Sequence, residues 1–77
     1  QKLTNVRVMD KAAAREDADV QAAVARITEE LGDRGRILVR ESGTEPLVRV
    51  MVEAETDEIC REMAERVVLK LQKYAIS

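Results

Sequence analysis

One stretch of this sequence concentrates groups that bind anions: Arg40-Glu41-Ser42-Gly43-Thr44-Glu45-Pro46, followed by Leu47-Val48-Arg49. An arginine presents a planar fork of donors that can bond two oxygens of one phosphate. Ser42 and Thr44 each add a hydroxyl donor. Gly43 permits a turn that a residue with a Cβ resists, and successive amides around such a turn can converge on an anion. Pro46 stiffens the exit and holds Glu45 extended. The candidate phosphate contacts are therefore Arg40, Ser42, Gly43, Thr44 and Arg49, with the two guanidinium groups flanking the loop. A phosphate carries nearly two negative charges at neutral pH, which two arginines match. Glu41 is expected to point away, and Glu45 stands near enough to brace an arginine, a role its spacing does not fix. The same Ser-Gly-Thr string is also ordinary hairpin-turn chemistry, so the residues alone leave a plain turn open beside the phosphate site.

Other chemistry is excluded more firmly. The chain has no histidine and a single cysteine, Cys60. That removes the commonest general base, a zinc site and an internal disulfide. No serine stands near a base of the triad kind, so no residue is assigned as catalytic and none as a metal ligand. Thirteen basic and fifteen acidic residues, net charge −2, are mixed along the chain, and Tyr74 is its one aromatic residue. Nucleic-acid binding needs a basic footprint and often stacking rings, so no nucleic-acid partner is expected. No apolar run is long enough to span a membrane, and the expected setting is the cytoplasm. Seventy-seven residues make one domain, 1–77, and the start at Gln1 fits a piece of a larger protein.

The elements that position the loop can be read from periodicity. Leu3 to Met9 alternates as a strand, and residues 10–16 read as a polar, alanine-rich connection. Asp17 caps a first helix whose stripe is Val20, Val24, Ile27 and Leu31, with Gly32 as its C-cap. A second strand covers about 36–40 and a third about 47–55, where Val48, Val50, Val52 and Ala54 oppose Arg49, Met51 and Glu53. Thr56 caps a second helix reaching about Tyr74, with Ile59, Met63, Val67 and Leu71 as its stripe. Cys60 falls on that apolar side and reads as packing. Glu53, Glu55, Asp57 and Glu58 read as a solvated strand end and helix start rather than a cation site. The order β-α-β-β-α implies an α+β two-layer sandwich: an antiparallel sheet of three to four strands with two helices on one face.

The string from Arg40 to Glu53 resembles the signature of the α-D-phosphohexomutase family, and Gly35 to Val39 and Asn5 to Val8 are similar to it as well. Glu41 and the run Arg49-Val50-Met51-Val52-Glu53 resemble the branch that acts on glucosamine phosphates rather than the mannose and glucose branches. The resemblance implies a four-domain enzyme that moves a phosphoryl group between the 6- and 1-positions of a hexose through a phosphoserine and a magnesium ion. Both lie in other domains, so this chain alone is expected to be inactive and to hold neither. It implies that the C-terminal domain grips the phosphate not being transferred, with Arg40, Ser42, Gly43, Thr44 and Arg49 as the contacts. The implied partners are a phosphosugar and the enzyme's other domains. A mannose or glucose phosphate enzyme, and a non-enzymatic interaction module, are the alternatives.

Overall fold

The structure is a computed structural model, described here for residues 1–76. It contains β1 (Lys2–Arg7), α1 (Lys11–Glu16), α2 (Ala18–Leu31), β2 (Arg36–Glu41), β3 (Leu47–Glu53) and α3 (Asp57–Leu71). The three strands form one antiparallel sheet in the order β1-β3-β2, so the most apolar strand lies in the centre. Val48, Val50 and Val52 of β3 are fully buried against Val20 and Ile27 of α2 and Cys60, Val67 and Leu71 of α3. Burying one such aliphatic side chain contributes about 1.5–3 kcal/mol, and this shared layer holds helices to sheet. All helices cover the same face, giving the expected α+β two-layer sandwich.

The caps are local chemistry and fall where their residue types place them. The Asp17 carboxylate accepts hydrogen bonds from the amides of Asp19 and Val20, and Thr56 Oγ1 accepts from Ile59 N. Gly32 ends α2 at φ +53°, a conformation that costs a side-chain-bearing residue energy. Gly35 serves a different purpose. A Cβ there would overlap the Glu53 carbonyl, so its missing side chain lets β2 begin tight against the end of β3.

Four boundaries differ from the expectations. Residues 11–16, expected as a connection, form α1, capped by Asp10, whose carboxylate accepts from Ala13 N at 3.0 Å, and seated by the fully buried Ala14. The first strand ends at Arg7, and Val8 makes an isolated bridge to Ala75 instead. β3 stops at Glu53, and α3 stops at Leu71, followed by a 3-10 turn over Gln72–Tyr74. That turn returns the chain to β1, where Met9 N donates to the Tyr74 carbonyl and Ile76 N to the Arg7 carbonyl.

Among the described residues no helix covers the sheet's other face. Register places Asn5, Arg49 and Arg40 side by side across the three strands, with Leu3, Met51 and Leu38 as the next row. Arg36 and Glu53 pair at 2.6 Å at the far end of β2 and β3.

Candidate anion-binding site

The loop 42–46 joins β2 to β3 and is clasped from within. Ser42 N donates to the Leu47 carbonyl at 3.0 Å, Leu47 N to the Glu45 carbonyl at 2.8 Å, and Glu45 N to Ser42 Oγ at 3.2 Å. Among the described residues Ser42 is the one buried polar residue, 7% exposed. Its oxygen is thus engaged in shaping the loop, while the hydroxyl still carries its own hydrogen to donate. Gly43 and Thr44 are exposed.

Gly43 differs from the expectation. Its φ lies outside the left-handed range, and a Cβ built on it would meet nothing within 4 Å. The turn does not need a glycine for its dihedral angles. What the missing side chain provides is open space over the backbone, so that a ligand can approach the amide closely.

The arginines also stand differently. Arg40 and Arg49 are direct register partners, so they lie side by side on the helix-free face rather than on either side of the loop. Both are exposed, and their Cα atoms are roughly 5 Å apart, as cross-strand partners are. Among the described residues no carboxylate pairs with either, nor with Arg7 or Arg61, whereas Arg15, Arg26, Arg34, Arg36 and Arg66 have glutamate partners; only Arg40 and Arg49 stand directly opposite each other. Like charges directly opposite each other destabilise a sheet. An unneutralised arginine pair at the mouth of a clasped loop is therefore a local conflict with folding, the kind that a binding site imposes. With Leu38, Met51 and Arg36 the pair lines a shallow depression on the helix-free face, which runs from the loop end of β2 and β3 toward Arg36.

Glu41 points away, as expected. It faces the helix layer, where the nitrogen Nε of Arg15 donates to its carboxylate at 2.7 Å. That bond, reinforced by the charge of Glu41, raises the Arg15 guanidinium above its ordinary value. Glu45 braces no arginine among the described residues and contributes through its backbone.

Lys11 was not among the sequence candidates. Its Nζ donates to the Ser42 carbonyl at 2.6 Å and lies 3.3 Å from the Glu45 carbonyl. No sequence signal marked it, because its contacts lie 31 and 34 residues along the chain.

The fold and loop define a class: a small α+β domain that presents one clasped loop and two unpaired cations at the edge of an open sheet face. The model of the family described as phosphoglucomutase/phosphomannomutase, C-terminal domain, matches residues 3–70, and the chain belongs to that family. It is 55% identical over 78 residues to a phosphoglucosamine mutase of Lachnospira eligens, covering 99% of this chain and 17% of that protein. It is 58% identical over 66 residues to the phosphoglucosamine mutase of Shouchella clausii, covering 86% of this chain and 15% of the relative. The same enzyme of Cutibacterium acnes is 55% identical over 75 residues, 92% of this chain and 17% of its own length. The chain thus spans less than a fifth of the curated relatives it matches.

Proposed function

We propose that this chain is the phosphate-anchoring C-terminal domain of a cytoplasmic phosphoglucosamine mutase, a four-domain enzyme converting glucosamine 6-phosphate to glucosamine 1-phosphate for cell-wall precursors. The observation that carries the reading is the Arg40–Arg49 register pair, without a carboxylate partner among the described residues and on the strands that lead to the exposed Gly43 and Thr44. In this reading the two guanidiniums supply charge, Ser42 and Thr44 supply hydroxyls, and the open Gly43 backbone supplies an amide. Together they hold the phosphate that is not being transferred. Binding energy spent there, remote from the reacting atoms, orients the sugar toward the catalytic serine of another domain. A site that takes either phosphate serves both orientations of a bisphosphorylated intermediate.

The magnesium ion and the phosphoserine belong to other domains in this reading. Among the described residues no group of three or more His, Cys, Asp or Glu side chains is placed to hold a metal, and no step is assigned to the ion here. No helix among the described residues is long and apolar enough to cross a membrane.

An NMR titration of the chain with glucosamine 6-phosphate tests the reading, with glucosamine as the phosphate-free control. Each charge-assisted hydrogen bond contributes about 1.5–3 kcal/mol before the cost of association, so half a cleft binds in the millimolar range. The amides of Ser42, Gly43 and Thr44 are expected to shift with the phosphosugar and not with glucosamine. Shifts confined to other residues would remove the site.

A further inference from the structure

We infer that Lys11 is a positioning residue for the anion loop: from the helix side it fixes the peptide between Ser42 and Gly43 so that the Gly43 amide faces the side of Arg40 and Arg49. The inference deepens the phosphate reading and rests on it.

The geometry begins with α1. Asp10 caps it, Ala14 seats it in the core, and Arg15 ties it to Glu41 at the end of β2 at 2.7 Å. These anchors place the Lys11 stem beside the loop, and Nζ reaches the Ser42 carbonyl at 2.6 Å, with the Glu45 carbonyl at 3.3 Å. A short contact from an ammonium to a carbonyl is a charge-assisted bond and a strong one.

The consequence follows from peptide geometry. The Ser42 carbonyl and the Gly43 N–H belong to one peptide unit, and no peptide bond in the described chain is cis. In a planar trans unit the C=O and the N–H point in opposite directions. A carbonyl held toward Lys11 therefore turns the Gly43 N–H away from it. Lys11 approaches with α1 from the helix layer, the same layer that Glu41 faces to meet Arg15. Arg40 is the next residue along β2 and points to the opposite face, as Arg49 across from it does. The Gly43 amide is left directed to the side where the two guanidiniums stand, and a Cβ built on Gly43 would meet nothing within 4 Å.

Nothing else among the described residues holds that peptide. The loop's internal bonds engage the amides of Ser42, Glu45 and Leu47 but neither the Ser42 carbonyl nor the Gly43 N–H. Without Lys11 the unit is free to rotate, and an anion donor must be ordered at the moment of binding.

The test is a glucosamine 6-phosphate titration of wild type, Lys11→Met and Lys11→Arg, followed at the Gly43 amide and at the side-chain Nε–H signals of Arg40 and Arg49. In Lys11→Met the Gly43 response is expected to collapse and affinity to fall about tenfold, the loss of roughly one oriented donor. The arginine signals still respond at higher ligand, and Lys11→Arg, which keeps a charged donor, restores much of the Gly43 response. A Gly43 response unchanged in Lys11→Met overturns the inference, as does a loss that Lys11→Arg does not repair at all. Wild-type arginine signals that ignore the ligand would instead refute the phosphate reading itself. Should Lys11→Met not fold, Lys11→Gln, with a neutral donor on a shorter stem, carries the same comparison, and a wild-type Gly43 response in it at unchanged affinity overturns the role of the charged contact.

Discussion

Replacing Arg49 by methionine should make this domain more stable and worse at holding a phosphate. The two effects have opposite signs because they share one cause. Arg40 and Arg49 face each other across β2 and β3 with no carboxylate between them. Cross-strand pair energies run from about 0.2 to 1 kcal/mol, and a like-charged pair stands on the unfavourable side of that range. Arg49→Met keeps an unbranched apolar stem beside Met51 and Leu38 and removes the repulsion, so a gain of about 0.2–1 kcal/mol is expected. For a domain of this size that raises the melting temperature by roughly 1–8 °C. The same change deletes one charge-assisted contact to the ligand, about 1.5–3 kcal/mol, or roughly a ten- to hundredfold loss of affinity. Urea unfolding at low ionic strength measures the first effect, and a glucosamine 6-phosphate titration the second. Low salt matters, because at 1 M the screening length shrinks to about 3 Å and the gain should disappear. A variant that is less stable at low salt, or that binds as tightly as wild type, would refute the reasoning that these cations are kept apart from carboxylates for an anion.

Two further outcomes test the fold that carries the loop. Gly35→Ala places a methyl group against the Glu53 carbonyl, a backbone atom that cannot rotate aside, so a loss of about 1–3 kcal/mol is expected in urea unfolding; an unchanged midpoint would mean that the β2–β3 junction relaxes freely. Asp17 has its pKa lowered to about 2, chiefly by the Lys73 ammonium bonded to it and then by the Tyr74 hydroxyl, against the opposing effect of burial. A carboxyl with a folded pKa below its unfolded value stabilises fully above the unfolded pKa, near 3.8, and this contribution is lost as pH falls toward 2. Thermal melts should therefore show wild type falling toward Asp17→Asn between pH 4 and 2, and parallel curves across that window would contradict the assignment.

The caps were legible because capping is settled within four residues. Asp17, Gly32 and Thr56 act where their chemistry says, and each fixes an element's end without help from the rest of the chain. The alternation of β3 was equally plain, since one whole face of it is buried. α1 was not legible. Six residues with a single buried alanine show no stripe, and its anchors are tertiary: Arg15 reaches 26 residues along the chain and Lys11 reaches 31. The residues of the candidate site were chosen from their types, but their arrangement could not be read that way. Whether Arg40 and Arg49 flank the loop or stand side by side depends on strand register, which the length and internal bonds of the loop decide. Gly43 was misread for the same reason, because a glycine that a turn requires and one that it merely tolerates look identical in sequence.

The placement of charge around the loop separates what shapes it from what it can bind. Cations on the helix side are spent on protein oxygens: Arg15 on the carboxylate of Glu41, and Lys11 on the carbonyl of Ser42. On the open side Arg36 is paired with Glu53, while Arg40 and Arg49 have no carboxylate partner among the described residues. Had Glu41 stood at the neighbouring position of β2 it would have joined the open face and neutralised the very pair that makes the site, since alternate residues of a strand face opposite ways. Its position one step beyond Arg40 sends it instead to Arg15, where it strengthens the brace without weakening the field. A substitution that moves a carboxylate to the open face, such as Met51→Glu beside Arg49, should therefore abolish anion binding while the loop and its clasp remain intact.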